Sequence, residues 1–403
     1  MKIEIIPSLA KGVVAVPPSK SMAHRALISA ALADGESEIL GISSSEDMLA
    51  TMDCLTSLGA KFLRDGDKVQ VRGIGKNPEN SGVLHCRESG STLRFLIPLC
   101  LLTGEKFTLA GAERLMARPL SVYEALCREK GFRFEKEGNT LTVQGKLEAG
   151  EYAVAGDISS QFLTGLLYAL SLLEGDSVLR LTTPLESASY VDMTLAAMAE
   201  FGVEIRRERE GFFIRGGQNY TPRKYSVEGD WSNAAFPEAL NLLGGEVKLS
   251  GLNENSLQGD RVYRAHFKAL AEGAPTVDLT DCPDLAPVLF AVAAYLNGAR
   301  FTGTRRLAMK ESDRGAAMAE ELAKCGVELV MGENEIIVPK VTLYSPKEAI
   351  SGHNDHRIVM AMSVLLTRLG GVIKGAQAVA KSYPNFFEDI KQLGIEVNCN
   401  ETE

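Results

Sequence analysis

The 403-residue chain contains no Cys-x-x-Cys pair; its seven cysteines are scattered and odd in number. This excludes a disulfide framework and reads as reduced thiols in a cytoplasmic protein. No uncharged run exceeds residues 158–173, which is shorter than a membrane span and carries Ser, Gln and Thr, so it reads as a buried helix. The opening residues, MKIEIIPSLAKG, lack the apolar core of a signal peptide. Basic residues are not in excess. The net charge of −9 argues against a general nucleic-acid binder but leaves room for a local basic pocket. No G-x-G-x-x-G follows a strand, and neither His-Glu-x-x-His nor G-x-S-x-G occurs. Ser19-Lys20-Ser21 is like the end of a P-loop, but Pro17-Pro18 stand where its glycines belong. His353 and His356 have no Cys or further His to complete a zinc set. What is left is transfer chemistry driven by positioning and electrostatics, with no metal and no cofactor.

What the sequence does have is repetition. An apolar helix candidate closes on glycine at Gly35, Gly104, Gly175, Gly244, Gly298 and Gly370, at intervals of 69, 71, 69, 54 and 72 residues. A second helix candidate closes at Gly59, Gly131, Gly202, Gly273, Gly326 and Gly394, at intervals of 72, 71, 71, 53 and 68. Two markers thus give one period and the same short interval, which indicates six internal repeats.

Each unit reads as strand, core helix, strand, outer helix and further strand. The strands before the core helices are residues 13–16, 83–86, 152–155, 225–227, 276–279 and 348–350. The core helices are apolar on most sides, as in FLTGLLYALSLLEG at 162–175, whereas the second helices carry more charge and belong outside. Length favours two globular lobes of three units, with a short hinge near residues 223–230. The N-terminal strand, residues 2–6, has no partner in the first unit.

The core helices open with residues 19–27 (SKSMAHRAL), 88–96 (ESGSTLRFL), 158–163 (ISSQFL), 230–236 (DWSNAAF), 282–289 (CPDLAPVL) and 354–360 (NDHRIVM). Second helices open near 116–120 (MARPL), 309–315 (MKESDRG) and 381–387 (KSYPNFF). Helix N-termini offer unpaired N–H groups and partial positive charge, each worth about 0.3–1 kcal/mol to an exposed anion. Buried charge-assisted bonds from Lys or Arg add roughly 1.5–3 kcal/mol each. Lys20, Arg25, Arg94, Arg118, Lys310, Arg314, Arg357 and Lys381 all fall at these openings. A serine there is ordinarily only an N-cap, and an arginine ordinarily a solvated face. Their recurrence at one phase of the repeat favours a site for phosphates and carboxylates. Asp284 and Glu311 lie among these cations, where a carboxylate serves proton transfer or hydroxyl binding better than phosphate binding. Bound anions would raise their pKa and neighbouring cations would lower it.

In these residues the chain resembles the 5-enolpyruvylshikimate-3-phosphate synthases, in order and over essentially its whole length. The markers are Ser19-Lys20-Ser21 with His24-Arg25, Ser89-Gly90-Ser91 with Arg94, Arg118-Pro119, Ser159-Ser160-Gln161, Ser187 with Tyr190, Asp284, the residues 310–314 (KESDR), the residues 354–357 (NDHR) and Lys381. The resemblance implies an α/β fold of two lobes, each of three βαβαββ units in pseudo-threefold arrangement, with the active site in the cleft between them. It implies that residues 1–13 and 228–403 form one lobe and 14–227 the other. It implies transfer of the enolpyruvyl group of phosphoenolpyruvate to the 5-hydroxyl of shikimate 3-phosphate, with release of phosphate, through a tetrahedral intermediate.

By the same resemblance, Lys20, Gly90, Arg94, Arg118, Gln161, Arg314, Arg357 and Lys381 bind phosphoenolpyruvate. Ser21, Arg25, Ser159, Ser160, Gln161, Ser187, Tyr190, Asp284 and Lys310 bind shikimate 3-phosphate. Asp284 is the implied general base, and Glu311 with Lys20 the implied proton-transfer pair at the phosphoenolpyruvate methylene. The implied enzyme is a cytoplasmic monomer with no nucleic-acid or membrane partner. Three positions depart from the family pattern: Glu88 stands for an Asn, His24 for another Asn, and Arg306 where some members carry a substrate-binding Asn. The nearest alternative is the sister UDP-N-acetylglucosamine enolpyruvyl transferase, whose loop before the Arg-Pro segment usually carries a reactive Cys or Asp; here that loop, residues 111–116 (GAERLM), has neither. A non-catalytic anion-binding repeat protein is the alternative from another class. It would need neither Asp284 nor Glu311.

Overall fold

Short β-rich segments alternate with apolar helices along the chain. In the computed structural model, which describes residues 1–400, they form six small sheets and a set of buried helices. One strand order recurs. Leu84–His85 and Lys106–Ala110 pair in parallel, and Thr140–Gln144 and Arg133–Glu137 follow antiparallel. The same order joins Glu151–Val154, Ser177–Leu181, Gly211–Ile214 and Ile205–Glu208. It recurs in Thr276–Asp278, Ala299–Thr302, Glu335–Val338 and Val330–Met331. A parallel pair needs a long crossover. In these sheets it contains a core helix: Gly90–Cys100, Ser160–Leu170 and Ala286–Tyr295.

The chain divides into two compact units, residues 1–19 with 229–403, and residues 20–228. Two strands change places between them. Lys11–Ala15 and Lys224–Ser226 each precede a core helix, and the sequence pattern reads them as the openings of the first and fourth units. Instead, Lys11–Ala15 pairs in parallel with Glu246–Ser250, and Lys224–Ser226 with Glu36–Leu40. The first cut therefore falls after Ser19 rather than after residue 13, because the strand spanning residue 13 is hydrogen-bonded within the first unit. The N-terminal strand Lys2–Ile6 completes another sheet of that unit, between Gly371–Lys374 and Glu396–Asn400.

The two helix classes differ as their composition requires. In Ser160–Leu170, Ser160 and every residue from Phe162 onward is buried, and in His356–Leu369 burial runs from His356 to Thr367. The helix Tyr263–Glu272 buries only Tyr263, Phe267 and Leu270, a single stripe at helical spacing. Each fully buried Leu or Phe contributes roughly 1.5–3 kcal/mol relative to exposure. Packing between Gly90–Cys100 and Ser160–Leu170 depends on Gly165. A Cβ there would lie 2.4 Å from the Tyr123 hydroxyl and 2.6 Å from the Arg94 carbonyl. Glycine leaves room for Tyr123 to donate to the carbonyls of Arg94 at 2.8 Å and Phe162 at 3.0 Å, which fixes the backbone behind the Arg94 side chain. Among the described residues, no helix is long and apolar enough to cross a membrane.

Candidate active site

In the unit of residues 20–228, three core helices begin with polar residues that interlock. Ser89 caps Gly90–Cys100 by accepting from Thr92 N at 3.3 Å, and Ser159 caps Ser160–Leu170 by accepting from Gln161 N at 3.3 Å. Arg94, one turn into its helix and 4% exposed, donates to Gln161 Oε1 at 2.7 Å and to the Pro119 carbonyl at 3.1 Å. Gln161 in turn donates to Ser91 Oγ at 3.0 Å. Arg118 comes to the same place: a Cβ on Gly90 would lie 2.7 Å from its Nη1. Thus Gly90, Arg94, Arg118 and Gln161, distant in sequence, form one group.

Lys20 opens its helix with Nζ 2.9 Å from Asp47 Oδ2. Arg25 is buried and donates to Thr194 Oγ1 at 2.9 Å, the Ser21 carbonyl at 2.7 Å and the Tyr190 carbonyl at 2.7 Å. It therefore ties Ser21 and Tyr190 together. Ser187, buried, precedes the helix Ala188–Glu200 with φ +55°, a left-handed conformation that a serine adopts only at a cost. His24 points into the core: its Nδ1 lies 2.8 Å from Thr51 Oγ1, which meets Thr92 Oγ1 at 2.7 Å. Burial, with Lys20 and Arg25 adding to it, holds His24 well below the usual imidazole range, so it is neutral at pH 7.

The other unit carries a denser cluster. Asp284, in the 3-10 turn Pro283–Leu285, has Oδ1 2.7 Å from Arg314 Nη1 and 3.0 Å from Lys310 Nζ; its Oδ2 is 3.3 Å from Arg357 Nη2. Arg314 also reaches Asp355 Oδ2 at 2.9 Å and Glu311 Oε2 at 2.8 Å. Arg357 donates to Ser232 Oγ at 2.7 Å, and Lys381 Nζ to the Asn354 carbonyl at 2.5 Å. Two local features aim these groups. Asp313 caps Arg314–Ala323 by accepting from Ala316 N at 3.1 Å, and Asp355 caps His356–Leu369 by accepting from Arg357 N at 2.9 Å.

The charges are strongly coupled. Burial alone would raise the Asp284 carboxyl, but Arg357, Lys310 and Arg314 outweigh it and hold the group well below the usual carboxylate range. The sequence leaves this balance open; in the structure the cations win. Asp355 behaves alike, with Arg314 overcoming burial. Burial lowers Lys310 despite Asp284. Burial opposes the charge on Arg314, and Asp355, Glu311 and Asp284 reverse that and raise it. Asp260, buried nearby, is pushed up to about 6, first by burial and then by Asp284. Such a cluster supplies guanidinium and ammonium donors for oxyanions, together with two carboxylates, Asp284 and Glu311, able to exchange protons with a bound hydroxyl or carbon acid.

Three segments differ from the helix openings expected of them. Arg118 follows the short helix Glu113–Ala117, and the next helix begins only at Ser121. Lys310 and Glu311 lie in the linker between the 3-10 turn Arg305–Met309 and Arg314–Ala323. Lys381 ends the 3-10 segment Ala376–Lys381, ahead of Phe386–Gln392. Proline is the reason at two of them: Pro119 and Pro384 push the residue before them out of the helical region. Asp47, Ser232, Asp260 and Asp355 have partners in these groups that sequence reasoning did not assign. Asp47 reads in sequence as an ordinary first-turn acid of Glu46–Ser57. Of the departures from the family pattern, Arg306 is buried and donates to the Thr280 carbonyl, and Glu88 directly precedes the Ser89 cap.

Comparison with known proteins agrees with the fold. The model of the family described as EPSP synthase (3-phosphoshikimate 1-carboxyvinyltransferase) matches residues 6–390. The 3-phosphoshikimate 1-carboxyvinyltransferase of Clostridium kluyveri is 40% identical, with 98% of each chain covered. That of Clostridium perfringens is also 40% identical, again over 98% of each. Among solved structures, an EPSP synthase from Acinetobacter baumannii superposes with a TM-score of 0.79 at 23% identity. That superposition covers 99% of this chain and 100% of the other, a likeness of fold.

Proposed function

The chain belongs to the EPSP synthase family, and from that we propose that it transfers the enolpyruvyl group of phosphoenolpyruvate to the 5-hydroxyl of shikimate 3-phosphate, releasing inorganic phosphate. The single observation that carries the chemistry is the set around Asp284: Lys310, Arg314 and Arg357 converge on one carboxylate, and Glu311 shares the Arg314 guanidinium. Cations for oxyanions and acids for proton transfer are thereby held together.

In this reading Lys20, Arg94, Arg118, Gln161, Arg314, Arg357 and Lys381 bind phosphoenolpyruvate, and Gly90 leaves the Arg118 guanidinium its room. Ser21, Arg25, Ser159, Ser160, Gln161, Ser187, Tyr190, Asp284 and Lys310 bind shikimate 3-phosphate. The 5-hydroxyl attacks C2 of phosphoenolpyruvate and gives its proton to Asp284. C3 takes a proton delivered by Glu311 or Lys20, and a tetrahedral adduct results. Loss of a proton from C3 then expels phosphate and restores the double bond.

With its charge stabilised by three cations, Asp284 is by itself a weak base. Phosphate and carboxylate oxygens of the substrates would compete for those cations. That would loosen their hold on Asp284 and raise its proton affinity. The base would then be strengthened by substrate binding itself. Water exclusion around the bound pair would strengthen each ionic contact further.

The reading also takes the enzyme as a cytoplasmic monomer that needs no metal or cofactor, the cations of the site supplying the charge. Six of its seven cysteines are buried thiols, which suits a reducing compartment. A coupled phosphate-release assay tests the proposal. Phosphate should appear only when phosphoenolpyruvate and shikimate 3-phosphate are both present, and not when UDP-N-acetylglucosamine replaces the latter. Saturable binding without release would leave only an anion-binding protein.

A further inference from the structure

The segment that leads into the helix His356–Leu369 is conformationally costly. His353 and Asn354 are successive non-glycine residues with φ of +47° and +52°. Asparagine tolerates a left-handed backbone better than other residues with a Cβ, so the strain falls chiefly on His353, and something must hold it. The consequences of the bend fall on the cations assigned to phosphoenolpyruvate. The Asn354 carbonyl receives Lys381 Nζ at 2.5 Å. Asp355, the next residue, receives Arg314 Nε at 2.9 Å and Ser312 Oγ at 3.0 Å.

The holding group is Glu321. It lies on Arg314–Ala323, seven residues and two helical turns after Arg314, and its side chain is fully buried. Its Oε1 is 2.7 Å from His353 Nε2. An ionised carboxylate only accepts, so the imidazole donates through that nitrogen. Its Oε2 accepts from the Ser351 backbone N at 2.9 Å and from Lys324 Nζ at 2.7 Å. Ser351 Oγ in turn accepts from His353 N at 3.2 Å. Glu321 thus grips both ends of the bend, Ser351 and His353. Lys324 compensates its charge at 2.7 Å.

We propose that Glu321 and His353 are positioning residues for phosphoenolpyruvate: they fix the bend that sets Lys381 through the Asn354 carbonyl and Arg314 through Asp355. The helix Arg314–Ala323 then carries the substrate cation at its first turn and the clamp two turns later. One rigid element therefore registers both. The inference rests on the substrate assignment given under the proposed function.

The test variant is His353→Asn. Asparagine tolerates the left-handed conformation, so the fold is kept while the bond to Glu321 is lost. Thermal unfolding should stay within a few degrees of wild type. The KM for phosphoenolpyruvate should rise about tenfold, a loss of about 1.4 kcal/mol, with the KM for shikimate 3-phosphate nearly unchanged. Backbone amides of Asp355 and Arg357 should exchange hydrogen faster by a similar factor. Glu321→Gln keeps one acceptor for Ser351 and Lys324 and turns an NH2 toward His353, whose neutral ring accepts it in the other tautomer, so most of the affinity for phosphoenolpyruvate should be retained. A folded His353→Asn protein with wild-type KM for phosphoenolpyruvate, or with both KM values raised equally, overturns the clamp while leaving the reaction assignment intact. If wild type shows no turnover, the reaction assignment fails and exchange at these amides alone decides: unchanged exchange overturns the clamp.

Discussion

Asp284 and Arg314 form the central ion pair of their unit, Oδ1 to Nη1 at 2.7 Å, with the guanidinium 1% exposed. Because Arg314 is also held by Asp355 and Glu311, it stays paired whenever Asp284 turns to a substrate. A base can then be released from its cations without leaving a buried charge alone. That arrangement makes the account open to mutation and to pH.

Asp284→Asn removes the base and its charge but keeps the shape. Turnover should fall about 10²–10⁴-fold, the usual range for a lost acid–base group. The stability effect has a definite sign. The folded pKa lies below the unfolded value, so the contribution is present above about pH 4 and is lost as pH falls toward the folded pKa. Thermal unfolding of wild type and variant should differ most at pH 6–8 and converge as pH falls below about 4.

Asp260 should behave in the opposite way. Its folded pKa, about 6, exceeds the ordinary aspartate value of 3.8, so the folded state is penalised as pH rises from 4 to 6 and carries the whole penalty above that. Two pH units correspond to roughly 3 kcal/mol at most. Asp260→Asn is expected to raise the melting temperature at pH 8 and to leave it unchanged at pH 4. An equal gain at both pH values would show that ionisation is not the cause.

Gly90→Ala places a methyl group 2.7 Å from Arg118 Nη1. The atom displaced is the end of a flexible side chain, so the fold should be kept. The guanidinium must move, and the KM for phosphoenolpyruvate should increase on the order of tenfold, a little over 1 kcal/mol. Steady-state kinetics beside a melting curve separates the two effects.

Lys20→Ala and Glu311→Ala test the proton-transfer pair. Each should slow turnover by at least about 100-fold, and circular dichroism should show a folded protein in both cases. Wild-type rates in either variant would remove that residue from the mechanism.

Much of this was legible in the sequence for reasons that can be named. Helix-closing glycines and uniformly apolar helices are local patterns, so the six-fold repeat and the core helices could be read directly. The exchange of Lys11–Ala15 and Lys224–Ser226 could not. Both are short β-rich segments before a core helix, and nothing local distinguishes which sheet each will join. Arg94 and Gln161 could be named as site residues, but their bond, across 67 positions, belongs to the packing of two helices. Asp47 is not legible as a site residue because an acid in a first turn already has a sufficient local explanation. The prolines after Arg118 and Tyr383 are local signals for the later helix starts at Ser121 and Phe386.

The central claim is the identity of the reaction, and following both phosphorus resonances by NMR tests it most directly. With phosphoenolpyruvate, shikimate 3-phosphate and the purified protein, the phosphoenolpyruvate signal should decay as inorganic phosphate grows one for one, while the sugar-acid phosphate persists at a shifted position. A spectrum that stays constant with folded protein and both substrates present would contradict the account.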